Sequence, residues 1–409
     1  MTTVRIGRPG ATIVSDSTGS GPPVLLLHAG GERRQVWAPV QDALAAAGYQ
    51  GIAFDLRGHG ASGGVGGDAL DVIAGDVGAM IDLLDAAPVV VGASLGGFAA
   101  LLALADREAA VAGLVLVDVV PDPPPDRTRS WLARTVGPLA DHPLVDDILR
   151  RGPELRRAAA TVSAPVLLLR GERSPLTADD AARLRELVPH AREASIAGAG
   201  HLVARDAPRQ LGELVVDLLG DPLVRARRID NHLRRAGADA IAHPGGDLLS
   251  HLRRTAATLE QWQAPAWVVD AAHVHAAYGT DGFPEGLAGA TRDCLVAVVG
   301  AQAEALVERY GSCDRAASYP SFRTPEPVHV HRATGRRTAF TDVQLRAFAE
   351  LTIANELDVF AHSPELAARH ARETMRLFTS WSSIVRDPPR RAVREWCAAH
   401  HIDGIHREQ

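Results

Sequence analysis

Residues 89–105 read VVVGASLGGFAALLALA, and this stretch decides the fold of the first half of the chain. It opens on an apolar β-branched run that extends Pro88 to PVVVGA (88–93). Such a run, apolar at every position, suits a parallel strand buried on both faces. Gly92-Ala93-Ser94-Leu95-Gly96 then marks a tight turn, and FAALLALA continues as a helix. A Gly-x-Ser-x-Gly segment between a strand and a helix places the serine hydroxyl at the tip of a sharp turn. There the N-terminal dipole of the following helix favours developing negative charge.

Outward from this segment the same kind of run recurs. PVLLLH (23–28), GIAFD (51–55), GLVLVD (113–118) and PVLLLR (165–170) are short, rich in Val, Leu and Ile, and bounded by Gly, Pro or Asp. Amphipathic stretches such as WAPVQDALAAAG (37–48) and DALDVIAGDVGAMIDLLDAA (68–87) separate them. Alternation of this kind predicts an α/β fold with a doubly wound, mostly parallel sheet. From about residue 226 the strand signal nearly vanishes. Residues 226–277, 284–310, 342–357 and 363–399 carry helical periodicity, with loops around GTDGFPEG (279–286) and SFRTPEPVHVH (321–331). Two domains are expected, 1–222 and an all-α domain at 226–409, joined through GDPLVRAR (220–227). A chain of 409 residues is also long for one core.

Three blocks of the first half resemble the α/β-hydrolase family: the serine turn, LLLHAGGERRQVW (25–37) and IAGAGHLVARDAP (196–208). The resemblance implies Ser94 as nucleophile, His201 as general base and then acid, and the backbone amides of Gly30 and Leu95 as the oxyanion hole. Ala29 stands where the family usually has glycine. FDLRGHGASG (54–63) resembles the family's loop after the next strand, and we read Arg57 and His59 there as holding loops. The usual site of the triad acid, after PVLLLR, reads Gly171-Glu172-Arg173-Ser174-Pro175, so Ser174 occupies it. A serine cannot stabilise an imidazolium electrostatically. Asp118, at the end of GLVLVD, is the expected substitute, and Glu172 is nearby but expected to point elsewhere. The segment 119–163, where the family inserts a cap, is short and carries one or two helix patterns. A short cap implies an open site unless the second domain covers it.

In the second half, HPGGDLLSHLRRTAATLEQWQAPAWVVDAAHVHAAYGTDGF (243–283) resembles the HD superfamily of metal-dependent phosphohydrolases and related oxygenases. This implies His251, His275 and Asp358 as ligands, with Ala276 in place of the paired aspartate. Two imidazoles and a carboxylate suit a single divalent iron, manganese or zinc ion. His243 can join His251 if their helix extends that far, whereas His273 points elsewhere. His329 and His331 alternate on an extended segment and share a face. Tyr310, Asp314 and Arg315 form a polar set suited to an anion.

Composition excludes several classes. Net charge is −6 with both signs interspersed, which gives no nucleic-acid footprint. All 43 basic residues are arginine, so lysine Schiff-base chemistry and a Walker lysine are absent. Three scattered cysteines, no apolar run after MTTVRIGRPG and no membrane-length stretch make the expectation a cytoplasmic protein acting on a small molecule. Three functions compete. One is a serine hydrolase of a small ester, thioester or amide, which needs no cofactor. Another places metal-dependent hydrolysis or oxygenation in the helical domain. A third makes both domains degenerate scaffolds.

Overall fold

The structure is a computed structural model that describes residues 2–65, 67–105, 107, 110–135, 137–280 and 283–402. Asp281 and Gly282, in the loop expected at 279–286, lie outside the described residues, as do Val136 of the cap segment and residues 403–409. The chain divides into two compact units, Met1–Asn231 and His232–Gln409.

The strands of the N-terminal unit are β1 (Thr2–Arg8), β2 (Ala11–Thr18), β3 (Pro23–Leu27), β4 (Gln50–Phe54), β5 (Gly63–Gly64), β6 (Val89–Ala93), β7 (Gly113–Val117), β8 (Val166–Gly171) and β9 (Arg192–Ile196). They form one sheet in the order β1-β2-β4-β3-β6-β7-β8-β9, with β5 paired to β2. β3, β4 and β6 to β9 run parallel, and β2 meets β1, β4 and β5 antiparallel. Its helices are α1 (Ala38–Ala46), α2 (Leu70–Asp82), α3 (Leu95–Ala103), α4 (Pro125–Thr135), α5 (Pro143–Arg150), α6 (Gly152–Ala160), α7 (Ala178–Leu187), α8 (Val203–Asp206), α9 (Pro208–Gly220) and α10 (Pro222–Arg235).

The unbroken apolar strands follow from burial of both faces. Leu25, Leu27, Val90, Leu114, Leu116 and Leu168 pack into one core. Their neighbours Val24, Leu26, Val89, Val91, Val115 and Val117 pack into the other. Period-two geometry sends alternate residues to opposite sides, and both sides are covered.

Two expectations change. The cap segment holds three α-helices, α4 to α6, rather than one or two, and α6 seats Leu155 and Ala159 in the core. The division between units falls at 231/232, inside α10, and not at 220–227. Val224 belongs to the sheet's core, and Arg227 donates to the Val111 carbonyl (3.2 Å) and to Ser163 Oγ (2.8 Å). The first turns of α10 therefore belong to the N-terminal unit.

The C-terminal unit is helical but not all-α. It contains α11 (Leu248–Gln261), α12 (Ala266–His273), α13 (Arg292–Val299), α14 (Ala301–Ser312), α15 (Arg315–Ser318), α16 (Asp342–His362), α17 (Pro364–Ser380) and α18 (Asp387–Ala399). Two short antiparallel ribbons accompany them: β10 (Ala242–His243) with β11 (Gly246–Asp247), and β12 (Val328–Val330) with β13 (Arg337–Ala339). Helix α16 starts on a Thr341/Gln344 capping box and is buried on most sides, with α11, α12, α14, α17 and α18 packed around it. Phe348 of α16 anchors an aromatic cluster with Tyr310, Tyr319, Phe322 and Phe340, and Trp381 joins it through Tyr319 and Phe322.

Candidate active site

Ser94 sits between β6 and α3 with φ 45° and ψ −109°. A non-glycine residue there is strained, and strain of this kind persists only where the surroundings fix it. They do so here. Ser94 N–H donates to Val117 O (3.2 Å) at the end of β7, and Gly96 N–H to His28 O (3.2 Å) after β3. The glycines are required by close approach. A Cβ on Gly92 would lie 2.6 Å from Gly97 Cα, and one on Gly96 would lie 2.5 Å from Leu27 O. Leu95 is the first residue of α3, so its N–H has no intrahelical acceptor. Gly30 lies beside it: a Cβ there would stand 3.9 Å from the Leu95 side chain.

His201 follows β9 and its glycine-rich loop. Its Nδ1 lies 2.7 Å from Asp118 Oδ2. The carboxylate can only accept, so Nδ1 carries the proton and Nε2 is left as the acceptor. Asp118 directly follows β7, at φ 54°, and is 1% exposed. Its side chain also accepts from the end of β8 and the segment after it: Gly171 N–H donates to Oδ1 (3.0 Å) and Ser174 Oγ–H to Oδ2 (2.6 Å). Ser174, which stands at the usual position of the acid, is a hydrogen-bond donor to Asp118. Glu172 does point elsewhere, accepting from Gly198 N–H (2.7 Å) in the loop that carries His201.

Ser94, Asp118, His201, Gly30 and Leu95 all line one cavity of about 960 Å³. Every residue lining it belongs to the N-terminal unit. The cap contributes to its lining through Trp131 and Leu132 of α4 and Leu144 and Ile148 of α5. The Trp131 ring meets the His201 ring edge-on, with centroids 4.6 Å apart.

The residues around the site behave as their surroundings dictate. Arg57 is buried and binds Asp76 through two bonds (2.7 and 2.8 Å), together with the carbonyls of Pro9 and Val65. It holds the loop, as its sequence context suggested. His59 also bonds locally, to Arg57 O (3.0 Å), yet it lines the cavity as well. His28 is fully buried; burial pushes its pKa down to about 4. Its Nε2 accepts from Leu56 N–H (3.0 Å), and its Nδ1 lies 2.8 Å from Ala29 O. Sequence reading passed over Glu32, which lines the same cavity two residues beyond Gly30. The only cue was an acidic residue directly after the Ala-Gly-Gly segment.

In the C-terminal unit the three residues expected to hold a metal do come together, as a hydrogen-bonded cluster. His251 Nδ1 lies 2.7 Å from Asp358 Oδ2, and its Nε2 lies 3.1 Å from Asn355 Oδ1. The His275 ring meets the His251 ring at 5.3 Å, and its Nδ1 lies 2.8 Å from Ala272 O. Burial, reinforced by His251, pushes the His275 pKa down to about 3. Arg254 covers both Asp358 oxygens, at 2.7 and 3.0 Å. Burial alone would raise the Asp358 carboxyl, but the bonds from His251 and Arg254 outweigh it and hold the pKa at about 2. A guanidinium already neutralises the carboxylate, and both nitrogens of His251 are engaged. The residues as placed do not fit a bound cation, and among the described residues no group of three His, Cys, Asp or Glu is arranged to hold one.

Other expectations in this unit change with the local structure. α12 ends at His273, so His275 lies in the turn beyond it, not on the helix. His243 is on β10 and not on α11, which the Asp247 side chain caps at Ser250 N–H (2.7 Å). It nonetheless stacks on His251, centroids 4.1 Å apart. His273 turns to Val269 O (3.2 Å), away from the cluster. His329, on β12, reaches Arg309 O (3.0 Å), with its ring 6.4 Å from that of His331. Asp314 caps α15 through Ala317 N–H (3.0 Å). Arg315 is held by Glu356 (3.1 Å) and Tyr310 Oη (3.2 Å), a pairing that sequence reading missed.

Comparison with known proteins agrees with the N-terminal geometry. Residues 22–137 match the family model described as alpha/beta hydrolase fold. The N-terminal unit has the α/β-hydrolase fold. A stretch of 87 residues is 41% identical to a Mycobacterium tuberculosis protein named as a putative non-heme bromoperoxidase, BpoC. That match covers 21% of this chain and spans only 33% of the relative. Among solved structures, an E-2-(acetamidomethylene)succinate hydrolase is 24% identical with a TM-score of 0.46, covering 54% of this chain and 99% of its own. The thioesterase domain from the curacin biosynthetic pathway is 20% identical with a TM-score of 0.45, covering 53% and 99%. Residues 232–315 match a family described as a domain of unknown function (DUF6817). The HD resemblance expected for this region finds no support. Among the described residues no helix is long and apolar enough to cross a membrane.

Proposed function

We propose that the N-terminal unit is a serine hydrolase acting on a small ester, thioester or amide. The observation that carries this reading is the coupling of two features in one cavity. A serine is held at positive φ at a helix N-terminus, and a histidine has its Nδ1 2.7 Å from a buried carboxylate. In this reading Ser94 Oγ attacks the acyl carbon while His201 Nε2 takes its proton. The tetrahedral oxyanion lies against the N–H groups of Gly30 and Leu95. His201 then protonates the departing alkoxide, thiolate or amine, leaving an acyl-serine. Water, activated by the same nitrogen, releases the acid. Asp118 holds the imidazole in the required tautomer and favours its charged form.

The test is labelling by a fluorophosphonate, which needs an activated serine but not a known substrate. Wild-type protein should be labelled at Ser94 alone, and Ser94→Ala should not be labelled. Labelling that persists in Ser94→Ala, or none in the wild type, sinks the hydrolase reading and favours a binding or scaffolding role.

Metal-dependent chemistry in the C-terminal unit is the competing reading. It is favoured by the convergence of His251, His275 and Asp358 and opposed by Arg254 on the carboxylate. Elemental analysis decides it: iron, manganese or zinc that is stoichiometric and lost in a His251→Ala, His275→Ala double variant would establish it.

A further inference from the structure

The reaction cavity contains a carboxylate that the chemistry above does not use. Glu32 follows the Gly30-Gly31 pair, and its N–H bonds back to Ala29 O (3.1 Å), closing a tight turn. The turn keeps its side chain on the cavity that holds Ser94 and His201. Its Oε2 is buried and has no hydrogen-bond partner. Burial pushes its pKa up, against the lowering influence of the Ala29 backbone, Arg205 and His201, while Asp206 adds to the rise. An unmet carboxylate oxygen in a cavity is costly unless something that enters it supplies a donor.

The cavity is divided in character. Phe98, Trp131, Leu132, Leu144 and Ile148 make a largely apolar wall that suits an acyl chain. Glu32 lies within electrostatic reach of Arg205 and of His201, and His201 is the group that hands its proton to the leaving group in the reading above. Resting on the hydrolase reading, we propose that Glu32 is a specificity residue: its Oε2 accepts a hydrogen bond from a hydroxyl or N–H group on the leaving group of the substrate. The substrate class is thus an apolar acyl group joined to a donor-bearing alcohol or amine. A site built around a buried acceptor discriminates strongly, because a substrate lacking the donor leaves that acceptor unpaired.

The experiment compares 2-hydroxyethyl butyrate with 2-methoxyethyl butyrate, in which a methyl group replaces the donor hydrogen; the Glu32 variants separate the loss of the donor from the added bulk. Wild-type protein should favour the hydroxyl ester by about tenfold or more in kcat/KM. Glu32→Leu should bring the ratio near one, and Glu32→Gln, which keeps an acceptor oxygen, should leave it between the two. The ratio is insensitive to general damage, which slows both esters alike, and thermal melting of each variant reports folding. Fluorophosphonate labelling of Ser94 runs in parallel. If wild-type Ser94 is not labelled, the hydrolase reading falls and this proposal with it. If Ser94 is labelled but the wild-type ratio is near one, or survives in Glu32→Leu, the Glu32 proposal alone is overturned and Oε2 merely holds solvent.

Discussion

Asp118→Asn is the sharpest perturbation of this site, because it changes the chemistry and little else. Asp118 has φ 54°, a conformation that asparagine adopts more readily than most residues, so the backbone is kept. The carboxylate accepts from three donors, Gly171 N–H, Ser174 Oγ–H and His201 Nδ1–H. Asparagine has one acceptor oxygen and one NH2 group. If the oxygen stays on Gly171, the NH2 faces His201 and Ser174. The serine hydroxyl can rotate to accept, and the imidazole must then present a bare Nδ1. That moves its proton to Nε2, where it can no longer take one from Ser94. In a serine protease the same exchange lowers turnover by about 10⁴, or about 5.5 kcal/mol of transition-state stabilisation. We expect a fall of 10³ to 10⁴ in the kcat/KM for p-nitrophenyl butyrate, with a folding midpoint within about 2 kcal/mol of wild type. Retention of activity to within tenfold would refute the assignment of Asp118 as the residue that fixes the His201 tautomer.

Other outcomes follow from the same contacts. Ser174→Asp sets a second carboxylate where a hydroxyl now donates to Asp118 at 2.6 Å, so it should lower esterase activity rather than restore a triad; a rise, measured with p-nitrophenyl butyrate, would contradict the geometry. His28, neutral when buried, has a folded pKa near 4 against 6.5 unfolded, so the unfolded chain binds the extra proton between those values. Its contribution is complete above pH 6.5 and lost as pH falls through 4, by roughly 3 kcal/mol, and His28→Asn should flatten that part of the urea-midpoint profile. Arg386 holds the 2%-exposed Glu350 side chain through its backbone N–H (3.0 Å) and guanidinium (2.5 to 3.1 Å). Arg386→Ala strands that charge and should cost about 3 kcal/mol in chemical denaturation of the C-terminal unit.

What the sequence could reveal divides along physical lines. The strands buried on both faces, β3, β4, β6, β7 and β8, announce themselves because nearly all of their residues are apolar, Gln50 and Arg170 at strand ends excepted. The edge strand β1, TTVRIGR, does not, since its residues are mostly exposed and only Val4 and Ile6 among them are apolar, too short an alternation to stand out. The serine turn was legible because sterics dictate its glycines. The role of Ser174 was not, because its partner is 56 residues away on the adjacent strand. The same limit governed the C-terminal unit. His251, His275 and Asp358 were read as neighbours, and they are. Asn355, which meets His251, and Arg254, which covers Asp358, lie three residues before Asp358 and three after His251, and the sequence reading singled out neither. Glu356 likewise turned an expected anion-binding arginine into an internal ion pair.

The placement of Asp118 directly after β7 also bears on how this protein can vary. Its carboxylate is fixed by the β8 backbone amide of Gly171, so its position is set by strand register. The segment after β8 needs to supply only the Ser174 hydroxyl, a small group that threonine or a bound water can replace. Residues 175–177 are thereby relieved of a reacting group, though Pro175 and Leu176 still line the cavity. That segment is the natural place for sequence drift to reshape the cavity floor without touching the proton path, and a library confined to it should shift substrate preference while sparing the reactivity of Ser94.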